Sequence, residues 1–235
     1  MAGMSRPMVM IMATPMDSAA LYRLMAWLSP SYPVGAFSYS HGLEWLVETG
    51  ELSDCATMVG IISDLVAHGS GRTDAIVLSC AHRAVPDPDR LLAINELALA
   101  LSAGSERLLE TSAQGKAFAT VTDATWSAPS LALFDGAIAY PVAVGAAFAD
   151  HQVDRQSALH AYLHAFAANL VSAGLRLVPL GHTDGQRAMI ALEPVITQAA
   201  EAALSATLDD IGGACFRADM ASSFHETQYT RLFRT

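Results

Sequence analysis

Apolar residues three and four apart recur along this chain, and nowhere do they settle into alternation. Met58, Ile61, Ile62 and Leu65 stand at i, i+3, i+4 and i+7; Ile94, Leu97, Ala98 and Leu101 repeat the pattern; Leu159, Leu163, Phe166 and Leu170 form a third spine. That period marks one buried stripe on an α-helix and not the two-residue period of a half-buried strand. Alanine is abundant, β-branched and aromatic runs are scarce, and neither an internal repeat nor a linker divides the chain. The pattern predicts a single-domain, all-α helical bundle of about eight to ten helices with mobile N- and C-terminal segments: a disordered leader over 1–17, the helical domain over 18–211 and a tail over 212–235.

Local signals set the expected boundaries. Asp17 or Ser18 caps a first helix reaching about Leu28, and Pro30 and Pro33 then hold an extended loop. Ser40 is placed to cap a second helix, with Glu44 in its first turn, where a carboxylate favours the positive helix end. Gly50 stops it, Ser53 begins the third helix, Gly69 and Gly71 end that one, and a fourth covers Asp74 to Arg83. Asp87-Pro88 opens a fifth, with proline where a helix tolerates it. A sixth runs from Ser105 to about Thr120. Ser130 to Phe148 reads as helical with a break at Pro141, and Asp184 to about Leu208 as a long helix kinked at Pro194.

Hydrophobic residues make up 52% of the chain and charged residues 15%, against about a quarter charged in ordinary soluble domains. Such a chain buries an unusual share of itself or keeps apolar surface for partners. The net charge of −10 leaves no basic face for nucleic acid and no basic amphipathic helix for a membrane surface. Gln156 to Leu175 has the length of a membrane span, but His160, His164 and Asn169 within it fit a buried bundle helix better. The apolar run Met8 to Ala13 is too short for a signal peptide and is bracketed by Pro7 and Pro15. Cys55, Cys80 and Cys215 are scattered, with no C-x-x-C, which fits a reducing cytosol and neither a disulfide framework nor a cysteine zinc site.

The stretch SPSYPVGAFSYSHGLEW, residues 29–45, carries the densest chemistry. Ser38, Ser40, His41 and Glu44 invite a reading as a small intracellular serine hydrolase. Catalytic triads, however, bring nucleophile, base and orienter from separate segments, and no G-x-S-x-G elbow is present. His160 and His164 share a helix face and could both reach a metal, but Ala161 stands where H-E-x-x-H needs glutamate. With His225, beside Glu226, they define a second alternative, a metal-binding metallochaperone. The stretch 105–118, SERLLETSAQGKAF, reads either as one exposed polar patch or as a solvated face whose glycine lets a helix approach. Residues 181–186 read as a helix cap, since Asp184 would repel phosphate and no Walker lysine follows. The tail alternates Tyr229, Arg231 and Phe233 with Thr230 and Leu232 and then Arg234: interface-forming residue types, with nothing in sequence to bury them.

PVGAFSYSHGLE and HETQYTRLFR together resemble the signature stretches of the urease accessory protein UreF family. SERLLETSAQGKAF, YPVAVGAAFA and NLVSAGLRLVPLGHTDGQR are similar to its middle segments in the same order, so the resemblance spans about Leu21 to Thr235. It implies an all-α homodimer without chemistry or a cofactor of its own, a cytoplasmic scaffold. Such a scaffold binds UreD (UreH in some organisms), recruits the GTPase UreG through that pair, and assists nickel delivery to apo-urease. It further implies that His225, Glu226, Tyr229, Arg231, Phe233 and Arg234 lie in the segment tied to UreD. Glu44, Glu106 and Arg107 would fall in stretches linked to the surface that meets UreG or urease, and Arg176 at the basic position before VPLG. His182 departs from the family pattern, which usually has glutamine there.

Overall fold

Residues 17–234 are described by the structure, a computed structural model; the expected disordered leader therefore lies outside the described residues except for Asp17. Among them are ten α-helices, three short 3-10 turns and no strand. The helices are α1 (Ser18–Trp27), α2 (Leu43–Glu48), α3 (Cys55–Ala67), α4 (Ser70–Ala84), α5 (Pro88–Ala100), α6 (Ser105–Trp126), α7 (Tyr140–Asp150), α8 (Arg155–Leu177), α9 (His182–Ser205) and α10 (Phe216–His225).

Several boundaries follow from caps. Asp54 accepts from the Thr57 amide at 2.8 Å while Thr57 Oγ1 accepts from the Asp54 amide at 3.1 Å, so α3 starts one turn-signal later than Ser53. Asp87 accepts from Arg90 N at 3.1 Å ahead of Pro88, and Asp154 from Ser157 N at 2.9 Å. Each such cap contributes about 1 kcal/mol. At the loop before α9, Asp184 accepts from the Gly181 amide at 3.2 Å, a cap as expected.

Other boundaries differ from expectation for packing reasons. Ser40 does not cap α2; it is buried, and left-handed Gly42 (φ 79) stands at the cap position. Gly71 does not end a helix but sits inside α4, where a Cβ would lie 3.0 Å from Leu65 O and Val66 Cα. It permits close approach rather than a stop. Pro141 occupies the first turn of α7, so residues 134–139 are not helical. In α5 the buried face is Leu91, Ile94 and Asn95, and Leu101 is exposed. The tail contains a helix the hydropathy pattern missed, α10, because its buried positions are Ala218, Ala221, Ser222 and His225.

The core forms around α7, buried from Pro141 through Phe148, which packs on α4. Gly145 makes that crossing close: a Cβ there would lie 2.6 Å from the Leu78 carbonyl oxygen. Trp27 stacks on Phe148 at 5.2 Å and meets Phe118 edge-on at 6.0 Å, tying α1 to the centre. α8 packs along α9, with α3 laid against α9. Leu159, Leu163 and Leu170 of α8 are buried, and no helix among the described residues is long and apolar enough to cross a membrane.

α6 presses Gly115 against residues 138 and 139. A Cβ at Gly115 would sit 2.0 Å from Ile138 O, a backbone atom that cannot rotate away. Gly115→Ala is expected to lower denaturant-unfolding stability by about 2 kcal/mol, within the range for overpacked cores. An unchanged unfolding midpoint would contradict this packing.

Candidate functional site

The loop before α2 is a backbone device. His41 (φ 54) and Gly42 (φ 79) are both left-handed, a conformation that non-glycine residues rarely adopt and that must be held by surroundings. Gly42 has no alternative, since a Cβ would lie 2.7 Å from Ser222 N in α10. The double turn sends the His41 ring inward and points Glu44, at the start of α2, toward the chain's end.

Two polar networks result. In the outer one, His225 is 0% exposed at the end of α10, between two carboxylates. Its Nε2 lies 3.1 Å from Glu44 Oε2 and its Nδ1 3.0 Å from Glu106 Oε2. Glu44 also accepts from the amides of Leu232 (2.7 Å) and Phe233 (2.9 Å), and Glu106 accepts from Arg231 Nη1 at 2.9 Å. Arg234 N donates to Ser38 O at 2.8 Å. Phe233 is 3% exposed beneath the Arg176 guanidinium, whose Cζ is 4.4 Å from the ring centre, and Arg176 Nη2 donates to Phe37 O at 2.8 Å. Glu226 accepts from Ser105 N (3.1 Å) and Ser105 Oγ (2.8 Å), supplying the N-terminus of α6 with a carboxylate from 121 residues away. That placement satisfies orphan amides and the helix dipole together.

The inner network lies on the same helix. Glu110 accepts from Gln114 Nε2 at 2.9 Å, pairs with Arg107, and faces His41 Nε2 at 3.0 Å; His41 Nδ1 faces Ser70 Oγ at 3.3 Å. Arg107 Nη1 lies 2.9 Å from the same Nε2, so that ring nitrogen meets a guanidinium donor as well as the Glu110 carboxylate. Burial, and then the Arg107 charge, lower the proton affinity of His41. Burial alone would raise the Glu110 carboxyl, but Arg107 and then His41 outweigh it and bring it down to about 2. Asp74, on α4, accepts from Tyr162 OH at 2.9 Å, and burial raises it to about 6 against the opposing pull of Arg107. Asp74, His41 and Arg107 line two adjoining cavities of about 220 and 130 Å³, each roomy enough for several waters at about 10–15 Å³ apiece.

Ser70 and His41 are near each other, but the imidazole is a weakened base and its orienting carboxylate is neutralised by Arg107. His160 and His164 lie along a groove between α1, α8 and α9, lined by Leu21, Met25 and Ile190, and His164 also borders the larger cavity. Among the described residues no group of three or more His, Cys, Asp or Glu side chains is placed to hold a metal ion.

The family model described as UreF matches residues 52–193. The chain belongs to the UreF family. A relative named urease accessory protein UreF from Bradyrhizobium sp. strain BTAi1 is 51% identical over the full length of both chains. Another of the same name, from Rhodopseudomonas palustris strain BisA53, is 53% identical over 93% of this chain and 94% of its own.

This UreF chain brings eight of the ten sequence-proposed residues to one region: Glu44, Glu106, Arg176, His225, Glu226, Arg231, Phe233 and Arg234. Tyr229 is fully exposed beside them, and Arg107 turns the other way, into the inner network. Stretch 105–118 is not one exposed patch, because Glu106, Glu110, Gln114 and Gly115 are buried; its glycine does allow a close approach. Of the tail's large side chains, Phe233 has a socket while Tyr229 and Leu232 remain exposed. Sequence reasoning missed Asp74, Glu110 and Tyr162, and read Gln114 only as part of the polar set in 105–118. The i, i+4, i+8 spacing of Glu106, Glu110 and Gln114 was the available signal that they share a face.

Proposed function

We propose that this UreF-family chain is a non-enzymatic urease accessory protein. In this reading it pairs with UreD (or UreH), recruits UreG through that pair, and assists nickel delivery to apo-urease, as a cytoplasmic homodimer. Nickel is cargo here, and no resident cofactor is required. The family membership supports the accessory role, and the weakened His41 supports a binding rather than a catalytic part.

The observation carrying the adaptor reading is the outer face of α10. Phe216, Met220 and Phe224 stand four residues apart on one stripe and are all exposed, and Tyr229 and Leu232 of the tail are exposed as well. Phe224 meets Trp45 of α2 at 5.3 Å, so the stripe rests on a firm base. Aromatic and arginine side chains grouped in this way are typical anchors of protein interfaces. We assign the UreD contact to this surface, with the polar tail residues setting its shape.

Phe216→Glu combined with Met220→Glu is expected to weaken co-purification with UreD at least tenfold, with the helical circular-dichroism signal unchanged. Both side chains point outward, so loss of fold is not the expected route. Wild-type retention of UreD by the double variant overturns the assignment.

A further inference from the structure

We propose that the larger internal cavity is a binding site for a small organic ammonium ion, with Asp74 as counter-ion and aromatic rings as walls. The cavity, of about 220 Å³, is lined by the loop before α2, by α6 and by α8. An apolar cavity of about 150 Å³ already admits benzene. Trp27, Phe37 and Phe166 supply apolar surface, while Asp74, Tyr140 and Tyr162 supply oxygen atoms. A mostly apolar wall with a few polar groups is the usual make-up of a small-molecule site.

Two of those oxygens are not used by the fold. Asp74 accepts from the Tyr162 hydroxyl at 2.9 Å, and among the described residues nothing donates to its second carboxylate oxygen. The Tyr140 hydroxyl likewise has no hydrogen bond among the described residues, although its ring centre stands 5.7 Å from that of Tyr162. Buried polar groups are normally paired. Water can serve the hydroxyl, but a buried carboxylate is offset only by an opposing charge.

The charges give the sign of the ligand. Arg107 pairs with Glu110, so those two cancel. Asp74 remains: burial raises its carboxyl to about 6, which leaves it ionised at pH 8. Burial and the Arg107 charge lower the proton affinity of His41, so it adds no positive charge at that pH. Asp219, on the wall of the adjoining cavity, adds another carboxyl group to the surroundings. The surplus is negative, and aromatic faces attract cations most strongly where water is excluded. A bare metal ion would leave most of the space and the apolar wall uncontacted; an ammonium with a short apolar body uses both. Leu28, Ser29, Pro30 and His164 also line the groove between α1, α8 and α9, which gives the cavity an approach from the surface. This inference is independent of the UreD assignment, since the full-length chain alone tests it.

Calorimetric titration at pH 8 with three probes of one shape decides it: benzylamine, protonated at that pH, neutral benzyl alcohol and anionic benzoate. Benzylammonium is expected to bind with a Kd of about 1 mM or tighter, within reach of a ligand of about eight heavy atoms. The other two should bind at least tenfold more weakly. Asp74→Asn should weaken benzylammonium at least tenfold and bring it level with the alcohol. That variant relieves a burial cost, so its lost binding would not come from a lost fold. No binding of benzylammonium at 10 mM, equal binding of the alcohol, tighter binding of benzoate, or undiminished binding by Asp74→Asn each overturns the proposal. Should Asp74→Asn not fold, the three probes on the wild-type chain decide alone.

Discussion

Glu110→Ala is expected to lower folding stability by about 3–5 kcal/mol, the range for removing one partner of a buried ion pair. The Arg107 side chain is 14% exposed, and without Glu110 the opposing charge left acting on it is Asp74, a carboxyl that burial raises to about 6. His41 and Gln114 lose their acceptor in the same step. The pH dependence has a definite sign. Glu110 sits at about 4.5 in an unfolded chain and about 2 when folded, so the folded state binds fewer protons between those values. Its contribution, about 3 kcal/mol, is fully present above pH 4.5 and is lost as pH falls toward 2. Denaturant unfolding of wild type and Glu110→Ala at pH 7 and pH 3 checks both statements. A variant as stable as wild type at pH 7 would remove the ion pair from any structural account.

Asp74→Asn is expected to act in the opposite direction and to stabilise the protein above pH 6 by about 2 kcal/mol. Burial raises this carboxyl from 3.8 to about 6, so the folded state holds an extra proton across that window. Stability therefore declines as pH rises from about 4 to 6, and the full cost persists above it. The shift converts to about 3 kcal/mol, reduced here because part of Asp74 faces a cavity able to hold water. Asparagine keeps an acceptor for the Tyr162 hydroxyl and carries no charge to desolvate. Thermal unfolding at pH 4 and pH 8 should show no gain at the lower value and a gain at the higher. A loss of stability at pH 8 would mean that the Asp74 attraction to Arg107 exceeds its burial cost.

The helical architecture was readable because its signals are local. Met58, Ile61, Ile62 and Leu65 bury as their spacing demands, and Asp87-Pro88 opens α5 through chemistry contained in four residues. Glycine was harder to read. Gly50 ends α2, whereas Gly71, Gly115 and Gly145 serve close approaches whose partners lie elsewhere in the chain. The site was legible only in part for the same reason. Similarity to UreF picked out Glu44, Glu106 and His225, but not that His225 would lie between the other two, 181 and 119 residues from them in sequence. Asp74 and Tyr162 are joined across 88 residues by one hydrogen bond. α10 was passed over because alanine, serine and histidine make its buried face, a composition that hydropathy scores as polar.

The carboxylate that completes the N-terminus of α6 is supplied by Glu226. A ribosome making this chain has therefore added 121 residues after Ser105 before that terminus can be finished. Until then Ser105 and Glu106 have only water for their free amides, and Glu106 has no histidine to grip. Nascent and C-terminally shortened chains should accordingly fray in the middle of the sequence, at the start of α6, as well as at their cut end.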